Sequence, residues 1–509
     1  MADKGLRRRE LLLASLTAAG IGCSSAPPEG TAGRRSEMTP PPLRVGDEIG
    51  PVKKGNGLNL VLIVADTFRA DYLGCYGNSW IKTPNLDRLA QRSVLFSECY
   101  PESLPTLPAR RVILTGRRAA PLRFYPQQSD SIQAPGWHPL FYEDITLPEW
   151  LLAAGYTTGY VTDVPHVQKP GKNFHRGFSA FRFIRGNEAD RYTSGPKNVP
   201  LARYSLDPGK SGNLRQYLMN RRNWRSEADT FVARVMRQSA QWLVDNKDNQ
   251  PFFLYVDCFD PHEPWDPPEH YARLYHRPIR GPKLINPPAR AEQLSKEQLL
   301  QVKSLYAGEV SLVDTQVGRL LDQVAKLNLD RNTIVVFTSD HGTMLGEQGQ
   351  IRKGNGERTR RQVARVPLLI SHPKAPYGGK KVSAFMQHTD LMPTLLDLLN
   401  MAAPARVTGE NFWPLVTGAK TSLRDTVVMQ YGYYVAVRTA EWSYLFCINP
   451  KRAGHELEEL YDVRKDPQEL TNVAGQHHSV VRDLKARLRR YLDAGEDLTN
   501  GTFGLVVEM

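Results

Sequence analysis

Two acidic groups follow apolar runs. Leu60-Val61-Leu62-Ile63-Val64 leads into Ala65-Asp66-Thr67, and Thr333-Ile334-Val335-Val336-Phe337-Thr338 leads into Ser339-Asp340-His341-Gly342. Taken singly, an Asp after a strand is a common turn former or helix cap, and Asp340-His341-Gly342 reads equally well as a turn. Two such sets on like-placed strand ends favour a metal site, since carboxylate and neutral imidazole are compatible ligands for one divalent ion. A third piece is Thr106-Leu107-Pro108-Ala109-Arg110. It reads as a helix start, with Thr106 near the N-cap, Pro108 in the first turn and Gly116 as terminator. A hydroxyl there sits in the positive field of free N–H groups. Beside Arg110 and a metal, that field lowers the cost of an alkoxide, which is how a weak hydroxyl becomes a nucleophile.

These residues need a frame. Residues 60–64, 333–338, 252–256 and 366–370 are continuous apolar runs, as expected of strands buried on both faces, and 157–161 is a weaker strand pattern. Helical patterns lie between them at 85–92, 146–154, 227–244, 296–327 and 390–399. The alternation implies an α/β fold with a mostly parallel sheet and helices on both faces. Functional groups in such sheets gather beyond the carboxyl ends of the strands, where Asp66 and Asp340 stand. The basic, Pro- and Gly-containing stretch 264–290 reads as a long surface loop. Residues 480–492 form an amphipathic, Arg-rich helix pattern.

The chain has 509 residues, 41% apolar and 23% charged, with a net charge of +13. This composition excludes a disordered, collagen-like or polytopic membrane chain. The five cysteines are too few for a disulfide scaffold and show no CxxC spacing. The charge suits an anionic partner. Nothing resembles a recognition helix or an aromatic stacking module, so no nucleic acid is expected.

The run Val61-Leu62-Ile63-Val64-Ala65-Asp66-Thr67-Phe68-Arg69-Ala70-Asp71-Tyr72 resembles the opening of the sulfatase family, within the alkaline phosphatase superfamily. Residues 106–117 resemble its signature, C/S-x-P-x-R followed by a short helix and Thr-Gly. Thr338-Ser339-Asp340-His341-Gly342 resembles its second metal motif. Asp260-Pro261-His262-Glu263-Pro264, Val366-Pro367-Leu368-Leu369-Ile370, His388-Thr389-Asp390-Leu391 and Glu459-Leu460-Tyr461-Asp462 continue the match in order. The resemblance implies a large, mixed, mostly parallel sheet sandwiched by helices, alkaline phosphatase-like, with a smaller C-terminal α+β subdomain. A catalytic domain is expected over 57–417 and the subdomain over 418–509.

The resemblance also implies roles. Asp66, Asp340 and His341 would hold a metal, together with Thr106 at the nucleophile position. Arg110 would stabilise the nucleophile. His262 would contact the transferred oxyanion or protonate the leaving oxygen, and Lys353 would bind substrate, its other reading being a solvated loop lysine. The family's Lys-x-His element is not matched. His166 stands nearby and is either its replacement or a plain loop histidine. The substrate would be a sulfuric ester, from a small molecule or an anionic glycan, and the basic residues Arg352, Lys353, Arg358, Arg360, Arg361 and Arg365 would steer it or simply face solvent.

Two departures stand out. Thr106 occupies the place of the Cys or Ser that the family oxidises to formylglycine, and threonine does not yield that aldehyde. Cys99 lies seven residues upstream without the Pro and Arg spacing. Direct attack by Thr106, as in related phosphodiesterases and phosphoethanolamine transferases, would suit a phosphodiester, phosphonate or phosphoryl-transfer substrate. An inactive protein that binds sulfated glycans is a third reading. Second, Thr67 replaces a carboxylate common in the family. One divalent ion is expected, Ca²⁺ by family, whereas His341 and Thr67 favour Mn²⁺ or Zn²⁺. A second site from Asp266, His270 and His388 is conceivable, against a surface loop.

The N-terminus carries Arg7-Arg8-Arg9 before an apolar run that closes on Gly20-Ile21-Gly22-Cys23. Residues 1–23 read as a twin-arginine, lipoprotein-type export signal and 24–56 as a flexible tether. The expected location is the periplasm or cell envelope, with membrane contact only through a lipidated Cys23.

Overall fold

The computed structural model describes residues 52–122, 134–169, 171–195, 198–207, 209, 212–277, 280–353, 359–449 and 457–498. The expected export signal, most of the tether and Arg358 lie outside the described residues.

The strands in chain order begin with β1 (Asn59–Ala65), β2 (Val94–Tyr100), β3 (Ser103–Leu104), β4 (Thr157–Thr162), β5 (Ala180–Phe183), β6 (Phe252–Cys258) and β7 (Thr333–Ser339). There follow β8 (Met344–Leu345), β9 (Ile351–Arg352), β10 (Val366–Ser371), β11 (Lys381–Val382) and β12 (Met386–Gln387). The last are β13 (Val427–Tyr431), β14 (Tyr434–Arg438), β15 (Trp442–Cys447) and β16 (Glu458–Asp462). The main sheet runs β11-β2-β10-β7-β1-β6-β4-β5, with β12 also on β2. Pairing is parallel except where β10 meets β2 and β7. The sheet is therefore mixed and mostly parallel.

The apolar runs form these strands because both faces of the sheet are covered. Every residue of β1, β6 and β7 is buried. One core places Val61, Ile63, Val256 and Phe337 against the long helix Lys296–Lys326 and the helix Phe231–Asn246. The other places Leu60, Leu62, Tyr255 and Val336 against Leu107, Ile113 and Leu395. The long helix starts at a capping box, Ser295 with Gln298, which satisfies two of its free N–H groups.

One strand was not expected and one expectation changes. β2 lies within the main sheet, although Ser97 and Glu98 break its apolar run. The stretch 264–290 is not simply a surface loop: Trp265, Leu284 and Ile285 are fully buried, and Trp265 N–H donates to the Ile285 carbonyl at 2.6 Å. The chain folds back here because Asp266 Oδ1 accepts from Lys283 Nζ at 2.8 Å.

A second, antiparallel sheet, β16-β15-β14-β13, forms the C-terminal subdomain and takes β3 at its edge. The helix His478–Leu498 packs on it through Val481, Leu484, Leu488 and Leu492. β3 pairs with β13 in parallel, Gln430 opposite Ser103 and Tyr431 opposite Leu104. The subdomain therefore grips the chain two residues before Thr106. No described helix is long and apolar enough to cross a membrane.

Candidate active site

Register sets the site. β1 lies between β6 and β7, all parallel, with Ala65 opposite both Ser339 and Cys258. The residues that follow, Asp66 and Asp340, leave the sheet side by side at its carboxyl edge. Asp257 sits opposite Val64, one residue short of that edge.

Asp66, Asp340 and His341 are all fully buried, with ligand atoms within 4.8 Å of one another. Thr67, at φ 63°, holds both carboxylates. Its hydroxyl donates to Asp66 Oδ1 at 2.7 Å and its N–H to Asp340 Oδ1 at 3.0 Å. His341 pairs Nδ1 with the Gly342 carbonyl at 2.8 Å. The bare Nε2 lone pair then faces Asp66 Oδ1 at 3.7 Å and Asp340 Oδ2 at 3.6 Å, without a hydrogen-bond partner. A buried lone pair aimed at two carboxylates is unfavourable unless a cation sits among them. These residues fit a divalent metal. Gly342 completes the turn, since a Cβ there would lie 2.1 Å from the Gln362 carbonyl oxygen.

The charges are strongly coupled. Burial, then the neighbouring Asp340, pushes Asp66 well above the usual carboxylate range. Asp340 goes the other way: burial would raise it, but His341 and Arg110 outweigh that and hold it low. Burial holds the His341 imidazolium down to about 4, leaving it neutral and able to ligate at neutral pH.

Thr106 is the first residue of the helix Thr106–Thr115, with Pro105 in the capping position. Its carbonyl accepts from Arg110 Nη1 at 3.1 Å. The same Nη1 donates to Asp340 Oδ2 at 2.6 Å and lies 3.1 Å from Asp66 Oδ2. Nε and Nη2 of Arg110 fork onto Asp257 at 2.9 and 2.7 Å, and Tyr160 OH donates to Asp257 Oδ2 at 2.9 Å. Sequence reasoning missed Asp257 and Tyr160. A carboxylate inside the otherwise apolar run of β6 was the available signal.

His262 and Lys353 meet at the mouth. Lys353 Nζ is 2.5 Å from His262 Nε2, whose Nδ1 is 2.7 Å from the Glu263 carbonyl oxygen. The ring stacks on Phe259 at 4.1 Å, and burial first, with Lys353 also acting, holds His262 down to about 4. Thr106, His166, Glu188, His262, Glu263 and Lys353 line one cleft of about 250 Å³, together with Trp137 and Tyr431. His166 Nε2 is 3.1 Å from Glu188 Oε2. Neither Glu188 nor Trp137 carried a sequence signal. The Trp137 wall is held by Arg111 of the signature helix, which donates to the carbonyls of Gly136, His138 and Pro139.

The second candidate set does not converge. Asp266 is paired with Arg221 and Lys283, and His270 is exposed beside Glu227. His388 is buried elsewhere, where burial holds it down to about 4 and Asp340 and Arg110 act on it.

The family model described as "Sulfatase" matches residues 58–401. The chain belongs to the sulfatase family. A second model, the C-terminal region of N-sulphoglucosamine sulphohydrolase, matches residues 359–494. An arylsulfatase of Clostridium perfringens is 26% identical over 498 residues, covering 87% of this chain and 97% of its own. Human iduronate 2-sulfatase is 28% identical over 398 residues, covering 70% and 68%. Among solved structures, the phosphonate monoester hydrolase of Agrobacterium radiobacter superposes with a TM-score of 0.67 at 22% identity, covering 87% and 95%. An enzyme solved with its substrate D-glucosamine-2-N,6-O-disulfate gives 0.66 at 19% identity, covering 87% and 98%. The sulfatase family consists of ester hydrolases in the alkaline phosphatase-like fold, and this sulfatase-family chain shares that fold.

Proposed function

We propose that this chain is a metal-dependent hydrolase of a sulfuric or phosphate-type ester in which Thr106 is the nucleophile. The observation that carries the reading is the position of Thr106: it opens the signature helix, with its carbonyl on an Arg110 that also spans Asp66 and Asp340. Asp66, Asp340, His341 and Thr106 would hold the ion, and two carboxylates with one imidazole suit Mn²⁺ or Zn²⁺ better than Ca²⁺. When bound, the ion would supply positive charge that lowers the cost of a Thr106 alkoxide.

Thr106 Oγ attacks the central sulfur or phosphorus, and the ester bond to the leaving oxygen breaks. Arg110 fixes the Thr106 backbone through its carbonyl. The His262–Lys353 pair delivers a proton to the leaving oxygen, with Lys353 as the proton source, since His262 is neutral above about pH 4. A second reading, a phosphodiesterase, phosphonate hydrolase or phosphoryl transferase, is favoured by threonine itself, which attacks directly where a formylglycine hydrate cannot form. The substrate class extends to sulfated glycans, as the names of relatives such as an ulvan-active sulfatase of Formosa agariphila suggest. The N-terminal pattern supports export and a lipid anchor at Cys23.

The test is turnover of an aryl sulfate, an aryl phosphodiester and an aryl phosphonate ester by metal-loaded protein, beside Thr106→Ala. The expected result is turnover that vanishes in the variant. Full activity in Thr106→Ala would overturn the assignment.

A further inference from the structure

A threonine nucleophile sets a problem that a formylglycine does not. The aldehyde hydrate can collapse and expel its ester group, but a threonyl ester can be cleared only by water attacking the central atom. Some group must take that water's proton. The inference below rests on the reading of Thr106 as nucleophile.

We propose that His166, oriented by Glu188, is the general base that activates this water. The two residues form a dyad. His166 Nε2 lies 3.1 Å from Glu188 Oε2, so Nε2–H donates to the carboxylate and Nδ1 is left as the acceptor. His166 Nδ1 is buried and has no hydrogen-bond partner among the described residues. The Nε1–H of Trp137 is likewise buried and unpartnered, and the rings of Trp137 and His166 meet edge-on with centroids 5.1 Å apart. Both rings are more than nine-tenths buried, and both line the cleft with Thr106. One donor and one acceptor are the complement that a single water molecule needs, accepting from the indole and donating to the imidazole.

The fold holds this arrangement against cost. Glu188 sits at φ 48°, in the left-handed region, a conformation that persists only where the surroundings enforce it. Here Asn187 enforces it. Its Oδ1 accepts from Glu188 N–H at 2.7 Å and its Nδ2 donates to Asp163 at 2.8 Å. Asp163 in turn accepts from Phe259 N–H at 2.8 Å. A carboxylate in a cleft built for an anionic substrate repels that substrate, so its enforced presence needs a purpose. Orienting an imidazole so that its free nitrogen faces the cleft's water supplies one.

The step balances. Water oxygen bonds to the central atom while its proton passes to His166 Nδ1. The bond from that atom to Thr106 Oγ breaks, and the electron pair returns to Oγ. His166 then releases its proton to solvent. Glu188 touches no reacting atom and is a positioning residue. The titratable and charged groups sharing the cleft with His166 are Glu188, His262, Glu263 and Lys353.

The experiment is rapid-quench kinetics with intact-mass analysis on metal-loaded protein, using the aryl ester that wild type turns over. His166→Asn should release one equivalent of aryl alcohol in a burst and then fall in steady-state rate by about 10²–10⁴-fold. The protein should gain the mass of one sulfuryl or phosphoryl group, located on Thr106. Glu188→Gln should accumulate the same ester more weakly. A steady-state loss in His166→Asn without burst or adduct would overturn the base assignment while leaving Thr106 in place. Absence of any adduct in both variants, with Thr106→Ala active, would instead remove the nucleophile reading itself.

Discussion

Asp257→Asn tests the electrostatic design of the centre. With a cation bound, Asp66, Asp340 and Asp257 are anionic and Arg110 is cationic, so the buried protein groups carry two net negative charges. One divalent ion neutralises them. The Asn variant keeps the shape but removes one charge, leaving the loaded centre with an uncompensated positive charge in a fully buried position. A unit charge about 8 Å from a dication, at an effective dielectric of about 20, contributes about 4 kcal/mol. Relaxation and solvent entry reduce this to about 2 kcal/mol, or about thirtyfold in Kd. Arg110 also loses part of its fork, so its hold on Thr106 slackens and kcat should fall with metal affinity. The assay is competition titration of Mn²⁺ and Zn²⁺ against a fluorescent chelator, which reads metal binding without turnover. Tyr160→Phe is the companion, since it removes one hydrogen bond to the Asp257 carboxylate, worth about 1.5–3 kcal/mol, without changing the net charge, and should move Kd far less. Unchanged metal affinity in Asp257→Asn would refute the charge argument.

The proton-delivery role of Lys353 predicts a dependence on the leaving group. Lys353→Met should slow an alkyl ester by about 10²–10⁴-fold and an activated aryl ester much less, and equal losses on both would place Lys353 in binding alone. His138 predicts a pH dependence of stability. It is buried beside Arg111, Nε2 to Nη1 at 2.8 Å, and burial first, then Arg111, holds its imidazolium down to about 2. The unfolded chain takes up that proton near pH 6.5 and the folded chain does not, so stability is full above about 6.5 and falls as pH drops, by about 1.4 kcal/mol per unit. Denaturant titrations of His138→Gln between about pH 4 and 6 should show a shallower slope than wild type, and an identical slope would remove His138 from the acid response.

What could be read from the sequence depended on whether position along a strand implied position in space. Asp66, Asp340 and His341 were legible because a parallel sheet sends its carboxyl ends to one edge, and the Ala65–Ser339 register does the rest. Asp257 was not, because β6 was read as ending at Val256 and a carboxylate within an apolar strand has no local explanation. Its reason is Arg110, far off in sequence. Trp137 and Glu188 were invisible for a related cause: each is placed by a tertiary clamp, Arg111 on the 136–139 carbonyls and Asn187 on Asp163. The stretch 264–290 misled because proline and basic residues suggest exposure, whereas Lys283 is spent on Asp266 and Trp265, Leu284 and Ile285 are buried. β2 was missed because Ser97 and Glu98 interrupt the pattern that the sheet nevertheless buries.

In-line displacement constrains where the second half of the reaction must occur. Water that clears a threonyl ester approaches opposite Thr106 Oγ, through the space the leaving alcohol has vacated. The base must therefore stand on the same side as the acid that served the first half. His166, Glu188, His262 and Lys353 line one cleft with Thr106. The Glu188 carboxylate is held down to about 2 against burial by His166, and the nearby His262 acts on it as well. The His166–Glu188 dyad and the His262–Lys353 pair are thus neighbours in one cleft. Leaving-group dependence should consequently follow Lys353, and accumulation of the ester should follow His166, although the two side chains act on atoms that occupy the same place in turn.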